Sequence, residues 1–265
     1  PILDCGFDLH NTPLMEYKCG GLEVVFCQLD IACRYGTDPV ASKVFYNMVM
    51  AGTNTNVLPS KTCCYYGNPA GRNYMDDIEV PYTDITGDIN QINSYDINIS
   101  DDGIGTTAAR AVAVSNFVAN GGTFVGLWLS VTTIEALLDA ACHSYTWSQM
   151  TYYRCTRANA PGGLLSGLGL SEFYWRENWD GGSPHNMLST IDLQPLNDVP
   201  EVIAVVSHGA GRYIFIEINP AWYGNTEYYH LAYEKTARIY SRIFSNLDVD
   251  IRPAGPRFYI DSFPN

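Results

Sequence analysis

Residues 95 to 130, "YDINISDDGIGTTAARAVAVSNFVANGGTFVGLWLS", carry one structural unit from start to finish. The segment from Ile92 to Ser100 is rich in β-branched residues and predicts a strand that opens into the polar turn Asp101 to Gly105. Thr107 to Gly122 then predicts a helix stopped by the pair Gly121-Gly122, and Thr123 to Ser130 predicts a second, mostly apolar strand. A strand, a helix and a strand in close succession form a parallel crossover unit, and apolar strands of this kind need a helical layer on both faces. The fold class that follows is α/β, a doubly wound and mostly parallel sheet.

The same alternation continues on either side. Upstream, residues 61 to 67 predict a strand, 71 to 78 a short helix and 79 to 85 another strand. Downstream, 131 to 145 predict a helix, 201 to 207 and 212 to 219 a hairpin turning on His208 to Gly211, and 228 to 246 a long helix. Residues 145 to 200 break the rhythm with Gly, Pro, Trp and Tyr, and predict an irregular aromatic-rich insertion or an antiparallel excursion.

Near the N-terminus, "LEVVFCQLD" (22 to 30) predicts a strand and "PVASKVFYNMVMAG" (39 to 52) a helix with Asp38 as its N-cap. This pair repeats in the later hairpin and helix, about 190 residues on. A glycine turn precedes each strand; Phe26 matches Phe215, Gln28 and Asp30 match Glu217 and Asn219, and Asn47 matches Asn246. We therefore expect residues 1 to 52 to be the last strand and helix of an upstream domain of the same type. A linker at 53 to 60, the α/β domain at 61 to 250 and an irregular tail at 251 to 265 follow, and the start at Pro1 reads as processing or truncation.

A formal charge of −13 opposes binding to nucleic acid or an anionic membrane, since both need a basic face. No apolar run approaches the roughly 20 residues of a membrane span. Lys is scarce, four against eleven Arg, while Tyr, Asn and Gly abound, and the expected location is extracellular or periplasmic. Eight cysteines permit disulfides there, with Cys5 to Cys19 or Cys33, and Cys142 to Cys155, as candidate pairs; Cys27, Cys63 and Cys64 read equally as buried free thiols. Their spacing matches no zinc pattern.

The order of "YDINISDDGIG", "AVSNFVANGGTFVGL" and the late "GAGRYIFIEINPAW" resembles the class I glutamine amidotransferase-like superfamily. More narrowly, it is similar to the amidotransferase-like domains of multidomain glycoside hydrolases, including the trimerisation domain of β-galactosidases. "PLMEYKCGGLEVVFCQLDIACRYGTDPVASKVFYNMV" and "GLGLSEFYWRENW" are similar to segments of secreted bacterial members. The resemblance implies a flavodoxin-like, amidotransferase-like sheet. It also implies a nucleophilic Cys in a Gly-x-Cys-x-Gly elbow after the fourth strand, with a His-Pro-Glu segment that activates it. Here the elbow reads Gly126-Leu127-Trp128-Leu129-Ser130, so Trp128 takes the nucleophile's position, and the His-Pro-Glu segment falls on Asn219-Pro220-Ala221. Nucleophile, base and acid are all replaced, which argues against amidotransfer. Ser130 reads better as a helix N-cap than as a substitute nucleophile.

Other groups are ordinary by comparison. "SDDGIG" (100 to 105) reads as a turn before a phosphate or metal loop, and no metal or cofactor is called for. His185 and His208 read as surface loop residues, and Asn98-Ile99-Ser100 is a glycosylation sequon at a strand end. Glu172, Glu177 and Asp180 lack the distinct setting of a glycosidase carboxyl pair. Tyr174, Trp175, Arg176, Asn178 and Trp179, with Tyr152 and Tyr153, mix rings and polar groups in a way that suits sugar contact, or a minor core or subunit contact. The expected function is a non-catalytic domain of a larger secreted glycoside-hydrolase-like protein, serving carbohydrate contact or oligomerisation. Its partners would be carbohydrate and further copies or chains of an assembly. The alternative is a structural repeat of an extracellular assembly.

Overall fold

The computed structural model describes residues 3–5, 11–19, 22–52, 60–150, 163–166, 168, 185–189, 193–195, 202–220 and 230–251. The chain divides into two compact units, Pro1–Ser60 with Asp250–Asn265, and Lys61–Val249.

In the first unit β1 (Leu3–Cys5), β2 (Asn11–Cys19) and β3 (Leu22–Cys27) form an antiparallel sheet in that order. Helix α1 (Pro39–Gly52) follows, and its N-cap is Asp38, whose Oδ1 accepts from the amides of Val40 at 2.8 Å and Ala41 at 3.2 Å. Two strands thus precede the one expected from the sequence.

The second unit contains β4 (Cys63–Tyr65), α2 (Pro69–Asp77), β5 (Thr83–Asp84), β6 (Ile97–Ser100), α3 (Ala108–Ala119), β7 (Thr123–Leu127) and α4 (Val131–Ala140). After these come β8 (Thr146–Met150), β9 (His185–Ser189), β10 (Leu193–Pro195), β11 (Ile203–His208), β12 (Gly211–Ile216) and α5 (His230–Asn246). Its main sheet has seven strands in the order β10-β11-β12-β7-β6-β4-β5. From β5 to β12 neighbouring strands run parallel, while β11 turns back against β12 and β10 against β11. The five parallel strands follow the second-first-third-fourth-fifth order of flavodoxin-like sheets, with the switch point between β4 and β6.

Both sheet faces are covered, as the apolar strands require. Val114, Phe117 and Val118 of α3 and Ile134, Leu137 and Leu138 of α4 join Phe124, Val206, Tyr213 and Phe215 in one buried cluster. On α5, Ile239, Tyr240, Ile243 and Phe244 are fully buried. The insertion contains an antiparallel pair, β8 with β9. The hairpin β11–β12 turns between His208 and Gly211 as expected, although His208 ends its strand rather than lying in a surface loop.

Several boundaries contract for local reasons. Strand β5 keeps two residues of the seven expected, because Glu79 has a positive φ of 57° and the proline at 81 has no amide to pair. Residues Ile89–Ser94 form a 3-10 turn capped by Asp88, so β6 starts at Ile97. Asn98 is fully buried in β6, donating from Nδ2 to Cys64 Sγ at 3.4 Å, so the folded sequon is inaccessible. The cysteine pairing also needs correction. Cys33 and Cys142 are free, so the pairs Cys5 to Cys33 and Cys142 to Cys155 are not formed; the side chains of Cys5 and Cys19 lie outside the described residues. Cys63 and Cys64 are buried free thiols pushed up to about 12 and about 11, mainly by burial, and Cys27 is a half-buried one.

Asp101 closes the switch point. Its Oδ1 accepts from the amides of Asn68 at 2.7 Å and Gly103 at 2.8 Å, and its Oδ2 from Gly71 at 3.2 Å. Gly67 and Gly71 are required there, because a Cβ on either would meet the Asp101 carboxylate and the Tyr65 hydroxyl. Replacing Asp101 with Ala leaves three backbone donors at this junction without their acceptor. Asp101→Ala should lower the unfolding free energy in urea by about 3 kcal/mol, and Asp101→Asn by less. An unchanged urea midpoint would refute this role.

Candidate functional site

The carboxyl ends of β6, β7 and β12 bring together the residues that the sequence placed at a nucleophile elbow. Strand β7 ends at Leu127, and Trp128 takes the left-handed conformation with φ 39°. Its amide donates to Ile216 O at 2.7 Å, and Ser130 takes the N-cap position of α4. Gly126 permits the turn, since a Cβ there would stand 2.6 Å from Leu129 Cδ1. A bulky residue with positive φ is a strained position held by its surroundings.

Those surroundings are aromatic. The Trp128 ring stands edge-to-face against Tyr74 of α2 at 5.7 Å and Tyr240 of α5 at 6.3 Å, and these two tyrosines meet at 5.2 Å. Tyr240 donates its hydroxyl proton to Ile218 O at 2.7 Å, and Tyr233 donates to Asp77 Oδ2 at 2.9 Å. The position of the nucleophile in the elbow therefore holds a half-buried indole wedged between two helices. Asn219 lies half-buried just beyond β12, where it offers an amide rather than a base; Ala221 lies outside the described residues.

Beside the elbow stands a carboxyl pair that the sequence reading missed. Asp102, exposed at the end of β6, accepts from the Ser130 amide through Oδ1 at 2.8 Å. Glu217, directly after β12, is 9% exposed, and its Oε1 has no hydrogen-bond partner. Burial first and the Asp102 charge second push the Glu217 carboxyl up to about 8, so it holds its proton at neutral pH. Two carboxyls with different protonation can offer a donor and an acceptor side by side. The available signal was alternation: Glu217 shares a strand face with Tyr213 and Phe215, both core residues, so an acid stood in an apolar register.

A second polar cluster lies at the other end of β12. His208 Nε2 is 3.1 Å from Ser115 Oγ, Ser115 Oγ lies 3.3 Å from Ala140 O, and the His143 ring is 5.3 Å from that of His208. Burial, then His143, holds His208 below the usual imidazole range. Ser115 is itself buried and bonded to the end of α4, so this Ser-His contact ties helices together rather than presenting a nucleophile. Among the described residues no group of three or more His, Cys, Asp or Glu side chains is placed to hold a metal. Ser130 holds the N-cap position of α4 without a side-chain capping bond, and its Oγ instead pairs with Thr133 Oγ1 at 2.9 Å. Tyr152, Tyr153, Glu172, Tyr174, Trp175, Arg176, Glu177, Asn178, Trp179 and Asp180 lie outside the described residues, as does the side chain of His185.

No family model matches this sequence, and no curated protein matches it. Among solved structures, the chain is similar to a cytoplasmic protein from Salmonella typhimurium LT2, at 12% identity over 71% of this chain and 99% of that one, with a TM-score of 0.47. It is also similar to a β-galactosidase from Rahnella sp. R3, at 14% identity over 78% of this chain and 33% of that one, TM-score 0.44. A third similarity is to a ThuA-like protein from Bacteroides uniformis ATCC 8492, at 11% identity over 70% of this chain and 90% of that one, TM-score 0.41. The match spans about a third of the length of the β-galactosidase. The chemistry of the site rests on its own residues.

The buried carboxyl sets a pH dependence. Unfolded, Glu217 releases its proton near the ordinary value of 4.5; folded, it keeps the proton until about 8. The unfolded state therefore binds fewer protons between these values, and stability falls as pH rises through that window. Glu217→Gln should match the wild type in thermal unfolding at pH 4.5 and exceed it by several degrees at pH 8. Parallel melting curves at both pH values would contradict the assignment.

Proposed function

We propose that this chain is a non-catalytic amidotransferase-like domain of a larger, secreted glycoside-hydrolase-like protein, serving carbohydrate contact or oligomerisation. The observation that carries this is the elbow. Its backbone keeps the left-handed turn that would expose a nucleophile, yet Trp128 occupies it and packs on Tyr74 and Tyr240. Neither the indole nor the nearby Asn219 can attack a carbonyl or accept a thiol proton at neutral pH. The flavodoxin-like strand order with an antiparallel hairpin at one edge supports the superfamily reading. The test is turnover of glutamine and of a simple ester. Neither should be hydrolysed, and Trp128→Cys should stay inactive because Asn219 stands where the resemblance would put the imidazole that activates the thiol. Glutaminase activity in the wild type would overturn the proposal.

A second reading, a structural repeat of an extracellular assembly, draws support from α1. Helix α1 exposes Tyr46 at 55% and Val49 at 48% on one side, apolar area of the kind that contacts between chains remove from water. Sedimentation should then show self-association that Val49→Lys weakens; a monomer at every concentration would count against it.

A further inference from the structure

The unmet hydrogen-bonding atom at the end of β12 identifies a site. We propose that Glu217, Asp102 and the rim of Trp128 bind a neutral vicinal polyol, such as one face of a sugar ring, over the carboxyl ends of β6, β7 and β12. This rests on the carbohydrate arm of the proposed function and assigns the contact to the degenerate elbow.

Three observations converge on it. Glu217 is nine-tenths buried, yet its Oε1 has no partner, and an unmet polar atom at that depth costs about 1–3 kcal/mol unless something arriving from outside satisfies it. Asp102 is exposed beside it, and the Ser130 amide holds its carboxylate in place at 2.8 Å. Trp128 is half-buried, and its edge contacts to Tyr74 and Tyr240 fix the ring as an apolar wall.

The ligand class follows from the chemistry of these groups. Neutral Glu217 donates and ionised Asp102 accepts, and adjacent hydroxyls of a polyol each offer both functions. The apolar surface of an indole suits the C–H groups of a sugar ring. An anion would meet the carboxylate and a chain of net charge −13. A primary ammonium would prefer both carboxyls ionised. The charge that acts on Glu217 is that of Asp102.

Titration calorimetry of the 265-residue chain with the methyl glycosides of galactose, glucose and mannose tests the site. At least one should bind at pH 6 and bind about tenfold more weakly at pH 9, where Glu217 has lost most of its proton. Glu217→Gln, which keeps an N–H donor, should bind equally at both pH values. Glu217→Ala should lose at least about tenfold at pH 6, the loss of one buried hydrogen bond. Binding that survives both Glu217→Ala and pH 9 would leave carbohydrate contact standing and overturn this site. Tighter binding at pH 9, or no binding of any glycoside, would overturn the polyol assignment. The glutamine and ester assays test the non-catalytic reading independently of these outcomes.

Discussion

The Asp101 carboxylate is the constraint on which the working end of the second unit depends. In a flavodoxin-like sheet the switch point leaves a crevice between two strand ends, open to a ligand and lined with helix-terminal amides. Here the protein supplies its own anion. Asp101 takes the amides of Asn68, Gly71 and Gly103 and joins the loop after β4 to the loop after β6. With those donors occupied by a fixed carboxylate, phosphate has neither amides nor a favourable charge there. Asp102, the next residue, is thereby placed beside the elbow with its carboxylate on the Ser130 amide.

The elbow shows how backbone and chemistry can separate. A positive φ at Trp128 puts a residue outside the comfortable range of a bulky L-amino acid. The aromatic contacts from α2 and α5 and the bond from the Trp128 amide to Ile216 O hold it there. A geometry suited to exposing a thiolate thus presents an indole. The polar interest moves a short way, to a carboxyl that burial first, and the neighbouring Asp102 charge second, keep protonated.

Much of this was legible in the sequence because local signals and tertiary demands agreed. Gly121-Gly122 ends α3, Asp38 starts α1, and the apolar runs at Thr123 and Tyr213 become adjacent parallel strands in the core. Trp128 could be assigned to the elbow through the resemblance, which sets Gly126 to Ser130 against the Gly-x-Cys-x-Gly pattern. Other features depend on contacts far apart in the chain. Strand β5 shrinks because of a left-handed Glu79, which no propensity anticipates. His208 looked like a turn residue, but Ser115 and His143 reach it from separate elements. Asp102 and Glu217 stand 115 positions apart in sequence, and only the closing of the sheet brings one charge to bear on the other. Cys33 and Cys142 were candidate disulfide partners and are free thiols, because sequence alone carries no geometry for a disulfide.

The protonation of Glu217 is the point on which the reassignment of the site turns. Carbon-13 NMR titration of the glutamate carboxyl resonances, with Glu217→Gln used to assign the signal, measures it directly. The account predicts one resonance that titrates near 8 in the wild type and is missing in the variant. If every glutamate instead titrates in the ordinary carboxylate range, Glu217 is ionised at neutral pH, and the donor and acceptor pair beside Trp128 does not exist.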